Sequence, residues 1–266
     1  MILSWREFTT KVRRKETPLY SNLYDIAKVI QGVSFPMISP LHRFLYHEWN
    51  LRTTMWHNFW RIVYYEPIFK SQCVRVGSGF KMYYAGNGSA KILGDLQIHF
   101  GTNVTIFDNA SFVGLKVFNK PELHVGSNTY IGPNVSFRVG KNIKIGEYCF
   151  ISSNFISDNP GHSLDDALDR MQSGGGSPRP DTIRSIEIGD LCWLTLGTAV
   201  YPGTTVGDGV VAKLGTHLSK TVPPFCLVSG SPWKVEKKLP IPEELKEHFG
   251  EDRYRMWKEQ QAAVVV

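Results

Sequence analysis

Apolar side chains recur at every sixth position through the middle of the chain. Beyond residue 187 this frame is unbroken, and a second series of small or apolar residues follows it at a distance of four positions. The first series is Ile188, Leu194, Val200, Val206, Ala212 and Leu218, and the second is Cys192, Thr198, Thr204, Val210, Thr216 and Val222. A six-residue period matches neither the 3.6-residue repeat of an α-helix nor the two-residue repeat of a plain strand. It predicts a short strand and a corner, repeated around a column.

A less regular version of the same frame lies earlier in the chain. Its residues, with two slips in spacing, are Phe100, Ile106, Phe112, Phe118, Val125, Ile131, Phe137, Val139, Ile145 and Ile151. Glycine often follows the aliphatic residue, as at Gly126 and Gly189, which suits a tight corner. We therefore predict a mainly β protein, a parallel β-helix whose every-sixth side chains stack inside the column. The alternative is a β-sandwich, which lacks a fixed six-residue frame.

Helical spacing is found at both ends of the chain. Residues 19–31 predict a short amphipathic helix that stops at Gly32, and Ser39 and Pro40 open a second helix that should end before Pro67. Pro242 opens a charged C-terminal helix. The resulting division is an N-terminal helical region at 1–70, irregular strands and then the β-helix within 71–238, and a C-terminal helix within 239–266.

One polar arm, residues 158–185, interrupts the six-residue frame. It contains Gly161 and His162 and then a stretch rich in Ser, Gly and Pro, and such a long loop within a compact repeat is usually functional. An imidazole titrates near neutral pH, so a positioned histidine can take the proton of an attacking hydroxyl. Asn154 and Asp158 lie on the last coil before the arm, within reach of an acceptor or of this histidine. His99, His124 and His217 are interpreted as ordinary column or surface histidines.

Four segments, in order, resemble the hexapeptide-repeat acyltransferases of the galactoside and maltose O-acetyltransferase type. They are residues 188–193 (IGDLCW), 200–209 (VYPGTTVGDG), 220–224 (KTVPP) and 230–235 (GSPWKV). The resemblance covers roughly residues 95–238. It implies a left-handed β-helix, which is an exception to the usual right-handed crossover. It also implies a homotrimer with coenzyme A bound between neighbouring columns.

The resemblance also implies roles for individual residues. The family's catalytic histidine matches His162, in its Gly-His setting, and the substrate contacts match Asn154 and, more weakly, Asp158. The residues that the resemblance assigns to coenzyme A are Trp193, Leu196, Leu214, Ser219, Lys220, Lys234 and Lys237. Lysine at a phosphate supplies a charge-assisted but not bidentate contact. No metal ligands are expected.

The chain departs from the family's pattern at three places close to the implied cofactor path. Leu194-Thr195 stands where Ile-Gly is usual, Leu214 replaces an alanine, and Trp233 replaces a small residue after Pro232. Bulky side chains at these positions would narrow the path or change the acyl group that is accepted, and the fold would remain intact.

Charge and aromatic residues are concentrated in the first 70 residues. Ten Lys and Arg face five Asp and Glu there, a net charge of +5 out of +6 for the whole chain, and the same residues hold 14 of the 33 aromatics. Two interpretations stay open: helices that cap one end of the column, and peripheral contact of residues 41–65 with an anionic membrane. No motif for nucleic-acid recognition accompanies the basic residues.

Four scattered cysteines (Cys73, Cys149, Cys192, Cys226) form no CxxC pair and are interpreted as free thiols in a reducing compartment. No apolar run approaches the length of a spanning helix, and the start of the chain lacks the pattern of a secretory signal. We therefore expect a cytoplasmic protein, with the inner face of the cell membrane as a site of peripheral binding.

The leading functional hypothesis is transfer of an acetyl group from acetyl-CoA to a hydroxyl of a saccharide, within a polysaccharide or a lipid-linked glycan precursor. Related alternatives are an amino-sugar N-acyltransferase and a serine acetyltransferase. Outside this class, a carbonic anhydrase of the gamma type would need three histidine ligands around one metal, and a non-catalytic scaffold would need neither His162 nor Lys220.

Overall fold

The computed structural model describes residues 4–86, 88–162, 166–172 and 179–264. The chain forms two compact units, Met1–Thr54 and Met55–Val266, and each is described by itself. No helix among the described residues is both long and apolar enough to cross a lipid bilayer.

The first unit consists of helices. Helix α1 is Trp5–Arg14, α2 is Pro18–Gly32, and α3, Ser39–Trp60, begins here and ends in the second unit. Ser4 and Glu7 form a capping box before α1, and the Thr17 hydroxyl caps α2. The two predicted helices are therefore confirmed. Helix α1 was not predicted, although the Ser and Glu of its capping box can be recognised in the sequence.

Helical backbone continues from α3 to the foot of the column. A π-helical stretch covers Arg61–Tyr65, and α4, Glu66–Ser71, starts with Pro67 in its first turn. Proline is tolerated there because the first N–H groups of a helix have no partner within it. Helix α3 does end before Pro67, as predicted, but the chain remains helical beyond it.

In the part of the chain that the structure describes, twenty strands wind up the column, and a twenty-first folds back on it. They are β1 Arg75–Val76, β2 Lys81–Tyr83, β3 Lys91–Leu93, β4 Gln97–Phe100, β5 Thr105–Phe107, β6 Ser111–Gly114, β7 Glu122–Val125, β8 Tyr130–Ile131, β9 Ser136–Val139, β10 Asn142–Ile145, β11 Phe150–Ile151, β12 Phe155–Ser157, β13 Ile186–Ile188, β14 Trp193–Leu194, β15 Ala199–Val200, β16 Thr205–Val206, β17 Val211–Ala212, β18 His217–Leu218, β19 Thr221–Val222, β20 Cys226–Gly230 and β21 Trp233–Lys238. A short helix, α5 Ala167–Gln172, and a 3₁₀ turn at Pro180–Thr182 lie between β12 and β13.

Each coil of the chain adds one strand to each of three parallel sheets. The orders are β1-β4-β7-β10-β13-β16-β19 in sheet A, β2-β5-β8-β11-β14-β17-β20-β21 in sheet B and β18-β15-β12-β9-β6-β3 in sheet C. Only the β20–β21 pair is antiparallel among these described strands. The fold is thus a three-faced parallel β-helix, and the β-sandwich alternative is wrong. The strands of residues 75–93 already belong to the column as its first coil.

The six-residue frame forms the interior of this column. Between the coil of β13–β15 and the coil of β16–β18, partner residues are 18 positions apart on every face, which is three times six. Ile188, Leu194 and Val200 are buried, as are their partners Val206, Ala212 and Leu218. Phe112 and Phe137 stack at 5.4 Å in the same way on sheet C.

Phe118 was wrongly placed in the frame. It is 37% exposed and lies in the connection between β6 and β7. The partner residues of these two coils are 25 positions apart, so seven extra residues form a loop at 115–121. A loop residue at the right spacing in the sequence cannot be distinguished from a core residue by periodicity alone.

The foot of the column is closed by α4. Phe69 is fully buried and contacts Phe80, Phe100 and Phe112 at ring-centroid distances of 5.7–6.1 Å. The Glu66 carboxylate accepts a hydrogen bond from Met82 N–H at 2.9 Å and pairs with Arg61 at 2.6 Å. Helix α4 therefore closes the foot of the column.

The C-terminal residues pack against one corner of the column, across several coils. Instead of one helix there are two, α6 Leu245–Phe249 and α7 Glu251–Ala262. Trp257 is fully buried, and its indole N–H donates to Asp208 Oδ2 at 2.7 Å, while Arg253 binds Asp190 and Asp208 at 2.6 and 2.9 Å. The two aspartates lie 18 residues apart on one corner, so α7 joins two successive coils.

Candidate active site

The polar arm leaves the column after β12 and returns at β13, and Asp158 closes its root. The Asp158 carbonyl accepts a hydrogen bond from Arg184 N–H at 3.0 Å. Its carboxylate is fully buried and accepts bonds from the N–H groups of Gly140, Lys141 and Asn142 at 2.6, 2.7 and 3.0 Å. Burial raises the pKa of this carboxyl, and the three backbone donors oppose that rise. The carboxylate is thus engaged in holding the arm's root, and it does not face solvent.

His162 lies four residues beyond this root, at the end of a tight turn. Asn159 Oδ1 accepts a hydrogen bond from Gly161 N–H at 2.7 Å, and Gly161 has φ +94°, a backbone conformation that suits glycine. The His162 side chain is exposed, and no described residue hydrogen-bonds its imidazole. Residues 163–165 and 173–178 of the predicted arm lie outside the described residues.

Asn154 braces the coil below the arm against the coil above it. Its buried amide donates to the carbonyls of Thr195 and Thr198 at 2.8 and 3.1 Å. Its Oδ1 is buried without a hydrogen-bond partner among the described residues, and so is Thr195 Oγ1. Burial of an acceptor without a donor costs free energy. Because the amide nitrogen of Asn154 is already hydrogen-bonded, any contact of this side chain with a ligand would have to use Oδ1.

Leu196 and Leu214 occupy equivalent places in successive coils, at the corner between sheets B and C. Both side chains are exposed, and Leu196 C=O accepts from Gly215 N–H at 3.1 Å, which joins the two corners. The N–H groups of Leu196 and Leu214 have no described hydrogen-bond partner. Two free donors on one corner suit the amide carbonyls of an extended ligand. Trp193 lies just before this corner on the outside of sheet B and is half exposed.

The remaining predicted cofactor residues lie near the top of the column. The Trp233 indole donates to the Ser219 carbonyl at 2.7 Å, so this bulky residue is fixed beside the Ser219–Lys220 corner. Lys220 has φ +62° and is exposed. Lys234 and Lys237 are exposed on β21, opposite Ser229 and Leu227. The structure thus groups Leu196 with Leu214, and Ser219 with Trp233 and Lys234, whereas His162 lies on the arm.

Two features were missed in the sequence. His217 Nδ1 lies 3.1 Å from Ser231 Oγ and 3.3 Å from Tyr201 OH, forming a polar cluster near the top of sheet C. The second is a row of aromatic side chains on the outside of sheet B: Tyr83, Phe107, Tyr130, Phe150 and Trp193. The signal for this row was present, because three successive coils carry an aromatic residue immediately before the buried frame residue. Within the described residues no three His, Cys, Asp or Glu side chains form a metal-binding group.

Known proteins share both the sequence pattern and the fold. No family model matches the chain. WbbJ of Escherichia coli, provisionally assigned as a lipopolysaccharide biosynthesis O-acetyl transferase, is 28% identical over 151 residues, 55% of this chain and 74% of WbbJ. Galactoside O-acetyltransferase of Escherichia coli is 26% identical over 117 residues, 44% of this chain and 54% of the enzyme. The match thus spans little more than half of that relative.

The fold also occurs in AntD, an N-acyltransferase of Bacillus cereus whose structure contains dTDP and coenzyme A. It superimposes with a TM-score of 0.54 at 16% identity, covering 69% of this chain and 94% of AntD. At that identity the likeness concerns the fold alone. The matched O-acetyltransferases, the three-faced column and its six-residue frame all support the predicted similarity to the hexapeptide-repeat acyltransferases.

Proposed function

We propose that the protein is an O-acyltransferase that moves an acetyl group from acetyl-CoA to a hydroxyl of a saccharide, within a polysaccharide or a lipid-linked glycan precursor, on a left-handed β-helix. The observation that carries this proposal is the placement of His162: an exposed imidazole on a turn whose root is fixed to the column by Asp158. The named O-acetyltransferase relatives support a hydroxyl acceptor.

In the proposed reaction His162 accepts the proton of the acceptor hydroxyl while its oxygen forms a bond to the thioester carbonyl carbon. The carbon–sulfur bond then breaks, and the proton is returned to the departing thiolate, so the reaction needs no further reactant. General-base catalysis of this kind contributes ~10²–10⁴ in rate.

The donor would be held by residues that play no part in the proton transfer. The free N–H groups of Leu196 and Leu214 suit the pantetheine amide carbonyls, with Trp193 beside them. Lys220, Lys234 and Lys237 are exposed cations suited to the phosphates, and Ser219 stands next to Lys220. Asn154 could offer only its Oδ1 atom to the acceptor. Asp158 would contribute by fixing the start of the arm to the column.

Release of free thiol from acetyl-CoA, measured against a panel of sugars, nucleotide sugars, amino sugars and lipid-linked saccharides, tests the proposal. We expect turnover with hydroxyl acceptors, and acylation only of amino sugars would replace the O-transfer with an N-transfer. The absence of thiol release with every acceptor, from a protein with an intact fold, would leave a non-catalytic scaffold.

We further propose that the protein is a homotrimer whose contacts include the outside of sheet B. The aromatic row there is continuous, with ring centroids separated by 5.6, 5.8, 4.4 and 6.4 Å from Tyr83 to Trp193. Val211 and Leu227 continue it in register beyond Trp193. An apolar row along a whole sheet face is unusual on a free surface, and Trp193 within this row lies just before the corner of Leu196.

The exposed Phe150 provides the test of this assembly. Phe150→Glu should yield monomers in sedimentation velocity and raise KM for acetyl-CoA, because a second copy would complete the donor site. Phe118→Glu is the matched control, since Phe118 is similarly exposed but lies on the loop 115–121. A trimer that survives Phe150→Glu, or an active wild-type monomer, would remove sheet B from the interface.

A further inference from the structure

Helix α3 carries an apolar face that the described structure leaves uncovered. None of its 22 residues is buried, and at 1.5 Å per residue the helix is about 33 Å long. Its exposed large apolar side chains include Leu41, Phe44, Leu45, Trp49, Leu51, Met55, Trp56 and Phe59. At 100° per residue, these fall within one half of the helix circumference, and the exposed Tyr46 lies outside it. Most polar side chains (Arg43, His47, Asn50, Thr54, His57, Asn58) fall on the other half.

Closing the column does not account for this face. Phe69 of α4 fills the foot of the column and is fully buried, whereas the end of α3 that belongs to the same unit exposes Met55 and Trp56 by 64% and 59%. Glu66 completes the closure with a buried hydrogen bond from Met82 N–H and a part-buried one from Arg61. A capping helix would bury its apolar residues as Phe69 does, and Met55 and Trp56 are not buried in this way.

The chemistry of the helix fits an anionic lipid surface. Trp49, Trp56 and Trp60 follow at spacings of seven and four residues along one edge of the apolar face, and the last two rings lie 5.5 Å apart. Indoles favour the boundary between headgroups and acyl chains. The charged residues within the face, Glu48 and Arg52, pair with each other at 2.6 Å. This pairing lowers the cost of bringing them to that boundary.

The unit that contains most of α3 is also basic. Residues 4–54 hold eight Lys and Arg and four Asp and Glu, a net charge of +4. Such a charge is attracted to anionic headgroups at close range. Because no described helix is able to cross a bilayer, the helix would lie along the surface.

We propose that α3 binds lengthwise to an anionic phospholipid surface, with its apolar face at the boundary between headgroups and acyl chains. This binding site is independent of the acyl-transfer chemistry, and a membrane-borne acceptor would gain effective concentration from it.

Cosedimentation of the full chain with sucrose-loaded vesicles tests the proposal. We expect binding to phosphatidylcholine vesicles that contain phosphatidylglycerol, weaker binding at high salt, and little binding to pure phosphatidylcholine. Trp49→Ser with Trp56→Ser should lower the partition constant at least about tenfold, and Arg43→Glu on the order of tenfold. The matched controls are Phe118→Ser and Lys91→Glu, exposed residues of the column unit that should leave binding unchanged.

Three results would overturn the inference. These are no binding to phosphatidylglycerol vesicles at low salt, equal losses in the α3 variants and their controls, and a change in sedimentation of the tryptophan variant without vesicles, which would identify α3 as a contact between copies. Thiol release with a soluble acceptor, measured on the same samples, keeps the two proposals separate. A protein that binds vesicles but turns over no acetyl-CoA would refute only the acyl-transfer proposal.

Discussion

Replacing His162 with alanine separates a catalytic role from a structural one. The side chain is exposed and no described residue hydrogen-bonds it, so its loss should change the free energy of unfolding by less than about 0.5 kcal/mol. A general base contributes ~10²–10⁴ in rate, which corresponds to about 2.7–5.5 kcal/mol of barrier. We therefore expect His162→Ala to lower kcat at least about a hundredfold, with an unchanged melting temperature.

The assay is thiol release at saturating acetyl-CoA, with thermal unfolding measured on the same preparation. His124→Ala is the control, because His124 lies half-exposed on the outside of sheet A, stacked on His99 at 4.5 Å and away from the arm. Activity of His162→Ala within a few-fold of wild type would refute the assignment. An equal loss of kcat in the control would show that the assay reports a general disturbance of the fold.

The remaining predictions concern binding and stability. Lys220→Ala and Lys234→Ala should each raise KM for acetyl-CoA with little change in kcat, at a cost of roughly 1.5–3 kcal/mol in binding, and an unchanged KM in both would place the donor elsewhere. Asp158→Asn should lower both kcat and the melting temperature, since an amide accepts fewer of the three backbone bonds; loss of kcat alone would argue for direct contact with the reactants. Trp257→Phe should destabilise the protein by ~1–3 kcal/mol in denaturant unfolding by leaving Asp208 with one donor fewer, and α7 would be dispensable if stability did not change.

The core of the column was predictable because its constraint is periodic. A side chain that points inward must be small or apolar in every coil. Ile188 and the frame residues that follow it at six-residue intervals can therefore be identified from their spacing alone. The same logic fails where a coil is lengthened, since the extra residues of 115–121 carry Phe118 into the frame without placing it in the core. The hairpin strand β21 was not predicted, because it pairs antiparallel and does not follow the six-residue repeat.

The candidate site was less predictable, because the role of a polar side chain depends on what it contacts across coils. The sequence placed Asn154 and Asp158 next to the arm, and the structure agrees on that position. It could not indicate that the Asn154 amide would bind Thr195 and Thr198, more than 40 residues away in sequence. Similarly, the six-residue frame identifies Trp193 as outward-facing, but only the pairing of strands reveals that Phe150 and Tyr130 lie directly beneath it.

The position of Asp158 suggests how a histidine carried on an arm could be held in place for catalysis. A general base must stay within hydrogen-bond reach of its hydroxyl, so a histidine on an arm of 28 residues is positioned best when it lies close to an anchored end. Here the buried carboxylate joins the arm's first residue to three consecutive backbone N–H groups of the neighbouring coil, and its own carbonyl joins the returning chain at Arg184. His162 is only four residues from this clamp, with Asn159 and Gly161 fixing the turn between them. The turn that carries His162 is therefore fixed to the column close to its own position, as the proposed role of general base requires.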